Sequence, residues 1–313
     1  IEHSMNVCAV RTLTETVGLE KGYEYLQNFG FTTLVNDDPD YPGMSDIAQS
    51  TALGGITRGV YNLEMTAAYA AIANGGTYTE PTLYTQILDH DGNVLIDNTS
   101  PATHEVIKES TAYLLTSAME DVINRGTGTT ARLSGMSAAG KTGTTENSTD
   151  LWLSAFTPYY TASVWGGYDE NKHMESISQS WHMSIWRQIM QQIHEGLSDT
   201  GFEVPSSVVQ KTICTQTGNL AVSGCPALTE YFDVDNVPTQ SCAGHRTTTT
   251  EEEEEDTDKE EEETDTSDSE TENTDPTTPT DPSTPTDPTT PTDPTTPTDP
   301  TDPTDPTTPT DPT

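Results

Sequence analysis

Residues 135–156 read GMSAAGKTGTTENSTDLWLSAF, and the fold depends on how this stretch is interpreted. Gly135 to Thr142 fit the pattern G-x-x-x-x-G-K-[ST] of a phosphate-cradling loop. Such a loop needs a buried apolar strand leading into it and a helix starting at the Lys, so that backbone N–H groups and the helix dipole face the phosphates. Neither flank meets this need. Upstream, residues 124–134 (NRGTGTTARLS) are polar and contain no block of four apolar residues. Downstream of Lys141, TGTTENSTD is rich in Gly, Thr and Asn, which resist helix formation. Leu151 to Phe156 (LWLSAF) then reads as a short strand. Nucleotide binding is rejected, and Lys141 becomes a side chain of an extended segment.

The 313 residues fall into unlike parts. From Thr247 onward there is almost no apolar side chain: 247–274 is Glu, Asp, Thr and Ser apart from Lys259 and Asn273, and 275–313 repeats TDP and TTP. The net charge of −39 divides accordingly, with 23 acids and one Lys from Thr247 on and 28 acids and 11 bases before it. A chain this acidic makes nucleic acid an unsuitable partner. The acidic run is expected to be a solvated, self-repelling, disordered linker. Proline occupies every third position from Pro276 to Pro312. That is the period of a polyproline II helix, so this tract is expected to be an extended spacer of up to roughly 120 Å. Folded mass therefore lies in 1–246. No window approaches the run of about 18 apolar residues that would span a membrane.

Within the folded part, Val7, Val10, Leu13 and Val17 recur at helical spacing, with Gly18 as the stop. Residues 31–60 are rich in Pro and Gly and read as a long loop. Tyr61–Ala73 is a helix closed by Asn74-Gly75-Gly76. TLYTQILD and VLID flank His90-Asp91-Gly92-Asn93 as a hairpin. A further helix spans Glu109–Ile123, and the strands LWLSAF and TASVWGGY follow the Lys-Thr-Gly segment. Ser180–Leu197 is amphipathic, with Trp181, Ile185, Ile189 and Ile193 every fourth residue as its apolar face. Helices around consecutive strands predict an α+β fold with a mainly antiparallel sheet.

An acyl-transfer site needs a nucleophile, a base, donors for a developing oxyanion and a holder for the donor's carboxylate. Lys141 offers fixed positive charge. On a strand, Thr142 and Thr144 place two hydroxyls on one face, and Gly143 between them allows another backbone to approach. Taken with HSMNVCAVRTL (3–13), LEMTAAYAAIANGGTY and NRGTGTTARL, the segment resembles the transpeptidase domain of class A (bifunctional) penicillin-binding proteins. The similarity runs in order over about residues 1–200. The resemblance implies the penicillin-binding/β-lactamase-like transpeptidase fold, with an antiparallel sheet flanked by helices. It implies that Ser4 relays a proton near the leaving group, that Asn6 holds the substrate amide, and that Lys141, Thr142, Gly143 and Thr144 bind the acyl donor. Read locally, Ser4 could instead cap the first helix. The implied activity is cross-linking of peptidoglycan stem peptides ending in D-Ala-D-Ala by a serine transpeptidase that β-lactams acylate, with no cofactor. It would take place at the extracytoplasmic face of the membrane, with wall-building proteins of division or elongation as further partners.

The family's nucleophile lies in Ser-x-x-Lys, upstream of Ser-x-Asn. Here the residues three before Lys21, Lys108, Lys141, Lys172, Lys211 and Lys259 are Gly18, Glu105, Ala138, Asp169, Val208 and Asp256. The expectation is a C-terminal piece of a longer enzyme, inactive alone, whose nucleophile, glycosyltransferase domain and anchor lie before Ile1. A wall-peptide or penicillin-sensing module and a wall-spanning structural protein are the alternatives. Cys8, in an apolar helical stretch, is expected to be a buried thiol. Residues 201–246 resemble the short tail after the transpeptidase domain in Gram-positive members. In an extracellular setting Cys214 and Cys225 are the candidate disulfide. A Cys₃His site with Cys242 and His245 has untypical spacings, and no metal is expected. His3, His173, His182 and His194 lack ligand spacing and are expected at the surface or in packing.

Overall fold

The first helical stretch ends where glycine permits a turn that other residues resist. Helix α1 (Asn6–Arg11) continues as a π-type turn over Thr12–Val17 and stops at Gly18, whose φ is 90°. The computed structural model describes residues 1–170, 172–174 and 178–245. These lie within the unit Ile1–Thr249. The acidic segment 247–274 and the Pro-rich segment 275–313 lie outside the described residues.

Helix α2 (Leu19–Asn28) leads into the expected loop, which is organised around a buried carboxylate. Asp46 accepts hydrogen bonds from the Val35 N–H (2.7 Å), the Thr57 N–H (2.8 Å) and the Thr57 hydroxyl (2.7 Å). A buried charge is tolerable when its oxygens are filled in this way. Helix α3 (Asn62–Ala73) is closed at Gly75 and Gly76, both with positive φ. A Cβ on Gly76 would fall 1.9 Å from the Ile107 carbonyl oxygen, so the turn requires glycine. Strand β1 (Thr77–Thr79) pairs with β4 (Thr103–Glu105), and β2 (Gln86–Leu88) with β3 (Val94–Asp97) forms the expected hairpin. Helix α4 (Glu109–Asn124) follows.

The central sheet has the order β5 (Ala139–Thr144), β6 (Asp150–Phe156), β7 (Thr161–Gly167), with both pairings antiparallel. Alternation along β6 serves two cores. Leu153 and Ala155 pack with Trp186 and Met190 of helix α5 (Trp181–Ile193), together with Ile123 and Met136. Phe156 packs with Ile72 of α3, Met119 of α4 and Ala139. Strands β5 and β6 approach closely at Gly140, where a Cβ would lie 2.4 Å from the Ala155 Cβ. Strands β8 (Val208–Cys214) and β9 (Ala227–Asp233) form a second hairpin against α4. Tyr231 meets Tyr113 edge-on at 5.2 Å, and the Ser110 hydroxyl donates to the Asp233 carboxylate.

Three expectations need correction. The apolar row Trp181, Ile185, Ile189, Ile193 is not the buried face: Ile185, Ile189 and Ile193 are exposed, and His182, Met183, Trp186 and Met190 are buried. A strict i, i+4 row drifts by about 40° per step around a helix of 3.6 residues per turn, so it cannot stay against a sheet. Spacings of three and four, as in Met183, Trp186, Met190, can. Cys8 is exposed rather than buried, because α1 has no buried residue. The Cys214–Cys225 disulfide is not formed, since all four cysteines are free. As for the histidines, His182 and His194 are packed in the interior, whereas His3 and His173 are exposed.

Trp186→Ala should lower the free energy of unfolding in urea by about 3–5 kcal/mol. Ile189→Ala should change it by no more than about 0.5 kcal/mol. Equal losses would restore the row of four as the packed face.

Candidate active site

Strand β5 is an edge strand. It pairs with β6 on one side and with no other strand among the described residues on its second side. Lys141 sits in mid-strand and half-buried, not at a helix start, as the rejection of the phosphate loop requires. In register, Lys141 lies opposite Ser154 and Gly143 opposite Trp152, while Thr142 and Thr144 lie opposite Leu153 and Leu151. The two threonines therefore share one face of the strand. Gly143 is small because of its own sheet: a Cβ there would lie 3.1 Å from the Trp152 Cβ.

The Lys141 ammonium donates to Ser4 Oγ at 2.8 Å and to the Thr142 carbonyl at 2.8 Å. Burial pushes the Lys141 pKa below its ordinary value of 10.5. Ser4 is held for this contact rather than for capping. The N-cap of α1 is Met5, no side chain caps the helix, and Ser4 has φ 51°, an uncommon backbone state for a residue other than glycine. The Ser4 N–H is bound to the Ile1 carbonyl at 3.1 Å. Asn6 opens α1 and is exposed, and no side-chain hydrogen bond joins it to Lys141 among the described residues.

A further residue completes the cluster. Thr127 Oγ1 lies 2.6 Å from Thr142 Oγ1, and the Thr127 N–H donates to the Glu2 carbonyl at 3.3 Å. Arg125 pairs with the Glu2 carboxylate at 3.3 Å, and a Cβ on Gly126 would lie 2.5 Å from the Glu2 carbonyl oxygen. The loop after α4 thus clamps the N-terminal segment beside β5. The NRGTGTTARL motif signalled that this loop mattered, but only the folded chain singles out Thr127.

Lys141, Thr142, Gly143 and Thr144 also line a cleft of about 710 Å³. Its wall includes Trp152 and Trp165, ring centroids 6.3 Å apart, and Trp165 Nε1 donates to Asp150 Oδ1 at 2.9 Å. Asp150 also accepts from the Thr145 hydroxyl at 3.1 Å, which stiffens the turn between β5 and β6. Asn62 of α3 donates to the Ser163 carbonyl of β7 at 3.3 Å and lines the same cleft. A half-buried cation bonded to a hydroxyl, next to an open strand edge and an aromatic wall, can bind an extended peptide carboxylate and move a proton.

In a titration followed by NMR, the Lys141 side chain should titrate below 10.5, and Ser4→Ala should depress it further, because the ammonium loses an acceptor. Between the depressed value and 10.5 the unfolded chain holds more protons at this group, so Lys141 adds stability as pH rises through that window. Lys141→Met should remove that part of the pH dependence. An unchanged pKa in Ser4→Ala would mean that the hydrogen bond does not persist in solution.

A family model for the penicillin-binding protein transpeptidase domain matches residues 1–205, and one for the C-terminal domain of penicillin-binding protein 1A matches 204–247. Penicillin-binding protein 1A of Clostridium tetani is 33% identical over 254 residues, covering 77% of this chain and 32% of that protein. Its counterpart in Clostridium acetobutylicum is 37% identical over 208 residues, covering 66% of this chain and 24% of that protein. The chain thus spans about a third or less of the length of these curated relatives. The crystal structure of penicillin-binding protein 1A from Haemophilus influenzae superposes with a TM-score of 0.63 at 25% identity, covering 77% of this chain and 40% of that one.

Proposed function

Since this chain belongs to the penicillin-binding protein transpeptidase family, of the class A type, we propose that it supplies the Lys-Thr-Gly strand and the Ser-x-Asn segment of a peptidoglycan-cross-linking site. The substrate is a stem peptide ending in D-Ala-D-Ala, and β-lactams acylate the same site. The observation that carries this reading is the 2.8 Å hydrogen bond from Lys141 to Ser4, across 137 residues of sequence, beside the free edge of β5.

The donor peptide adds along that edge, its terminal carboxylate held by the Thr142 and Thr144 hydroxyls and the charge of Lys141. A serine outside these 313 residues gives its hydroxyl proton to the lysine of its own Ser-x-x-Lys segment and attacks the penultimate carbonyl carbon. When the C–N bond breaks, the leaving amine takes the Ser4 hydroxyl proton, and Ser4 recovers one from Lys141. The depressed pKa of Lys141 favours that donation. Asn6 orients the substrate amide. Thr127, bound to Thr142, is a positioning residue for the carboxylate pocket. Residues 1–200 carry this chemistry, and 201–246 form an appendage. Catalysis takes place at the extracytoplasmic face of the membrane, in company with wall-building proteins. Among the described residues no helix is long and apolar enough to cross a membrane.

The alternative reading is a module that binds penicillin or wall peptides without turnover. Labelling with a fluorescent penicillin separates the two. The 313-residue chain alone should form no denaturation-resistant adduct. A polypeptide that adds the Ser-x-x-Lys segment should be labelled, and Lys141→Ala in it should slow acylation on the order of 10²-fold, with Lys172→Ala near neutral. Reversible binding with no adduct in either polypeptide would establish the module instead. Removing 247–313 should leave the acylation rate unchanged, because a segment of Glu, Asp, Thr and Pro has little apolar area to dock with.

A further inference from the structure

The β8–β9 lobe has almost no apolar core. Of residues 206–245, the buried ones are Val208 at the base of the hairpin and Cys214 and Cys242 at its far end. A lobe this small needs a staple when it lacks a core. Four side chains converge at that far end. One ligand atom from each of Cys214, Cys225, Cys242 and His245 lies within 4.8 Å of every other. Cys214 Sγ is 3.0 Å and Cys242 Sγ 3.4 Å from His245 Nε2.

Backbone hydrogen bonds build this convergence. Cys214 ends β8, and its N–H bonds to the Asn219 carbonyl at 2.8 Å, turning the chain back at Gly218, where φ is 73°. Leu220 then bridges two segments. It pairs with Ile213 on one side and with Ser241 on the other, and its carbonyl accepts from the Cys242 N–H at 2.8 Å. This lays Cys242 beside Cys214. Gly244, with φ 88°, bends the chain so that His245 returns to the same point. Cys225 enters after Gly224, with φ 85°, and its sulfur accepts from the Val222 N–H at 3.4 Å. A disulfide would employ two of the three sulfurs and leave a thiol and an imidazole without a role.

We propose that Cys214, Cys225, Cys242 and His245 hold a structural zinc ion that staples the lobe, in place of the disulfide and the metal-free lobe expected from sequence. Zn–S and Zn–N bonds of about 2.3 and 2.0 Å in a tetrahedron set ligand atoms about 3.5–3.8 Å apart. The observed separations, from 3.0 Å to 4.8 Å, bracket that range. Three thiolates and Nε2 of a neutral imidazole complete four-coordination. The site is therefore closed, with no open position for a substrate. Binding releases the thiol protons to solvent and couples metal affinity to folding of the lobe. The acyl-transfer reading is not needed for this assignment.

Zinc content of the full 313-residue chain, purified reduced and without chelator, should be about one ion per chain by elemental mass spectrometry. Cobalt(II) added to the metal-free reduced chain should give thiolate charge-transfer bands and the intense visible bands of a tetrahedral site. Cys214→Ser, Cys242→Ser and His245→Ala should each lower bound zinc about tenfold or more. Cys8→Ser should leave it unchanged. His245→Cys, which keeps a four-ligand set, should retain zinc and separate lost ligation from lost folding. A reduced chain that takes up neither zinc nor cobalt overturns the proposal, and so does metal that persists in both Cys214→Ser and His245→Ala. A Cys214–Cys225 disulfide found by peptide mapping of protein isolated from the extracytoplasmic space also overturns it.

Discussion

Strand β6 is covered on both faces, and the placement of the candidate site follows from that. Leu153 and Ala155 bury into the core under α5, and Phe156 buries toward α3 and α4. With its faces covered and its second edge occupied by β7, β6 can hold β5 only by backbone pairing. The close approach at Gly140 makes that pairing intolerant of a larger residue. Strand β5 is thereby fixed along one edge and left open along the other. Fixing one side of a strand while exposing the other yields a rigid template for an extended ligand.

The side chains around that edge come from segments far apart in the chain, and each is fixed by a local device. Lys141 is placed by the strand register, Thr127 by the loop that leaves α4, and Ser4 by an N-terminal segment clamped through Glu2. Half-burial of the lysine lowers the stability of its charged form, and the serine hydroxyl offsets part of that loss. The lobe beyond the transpeptidase part obeys another constraint. It has too little apolar area to order itself, and its two most buried distal side chains are cysteines.

Much of this was legible in the sequence, for identifiable reasons. Glycine at Gly18, Gly75-Gly76 and Gly92 marks turns that require positive φ, so the ends of helices and the β2–β3 hairpin could be read directly. Aromatic and aliphatic density in LWLSAF and TASVWGGY marked two strands, and the polar, Gly-rich flanks of Lys141 ruled out a phosphate loop. Residue order tied Ser4 and Asn6 to Lys141, Thr142, Gly143 and Thr144 through resemblance to a family, although no local signal distinguished Ser4 from a helix cap.

The sequence by itself determined where chain direction changes, which segments are extended, and that the segment from Thr247 on has too little apolar content for a core. Those properties depend on φ preference, side-chain branching and composition, which act within a few residues. Only the tertiary structure decided the rest. It chose Met183, Trp186 and Met190 over the row of isoleucines as the packed face of α5, because a face is defined by what lies opposite it. It exposed Cys8, turned Ser4 toward Lys141, and brought Cys242 and His245 to Cys214 through the bridging of Leu220. Approaches across 28 (Cys214 to Cys242), 31 (Cys214 to His245) and 137 (Ser4 to Lys141) residues depend on sheet register and loop closure together, and no short-range pattern encodes them.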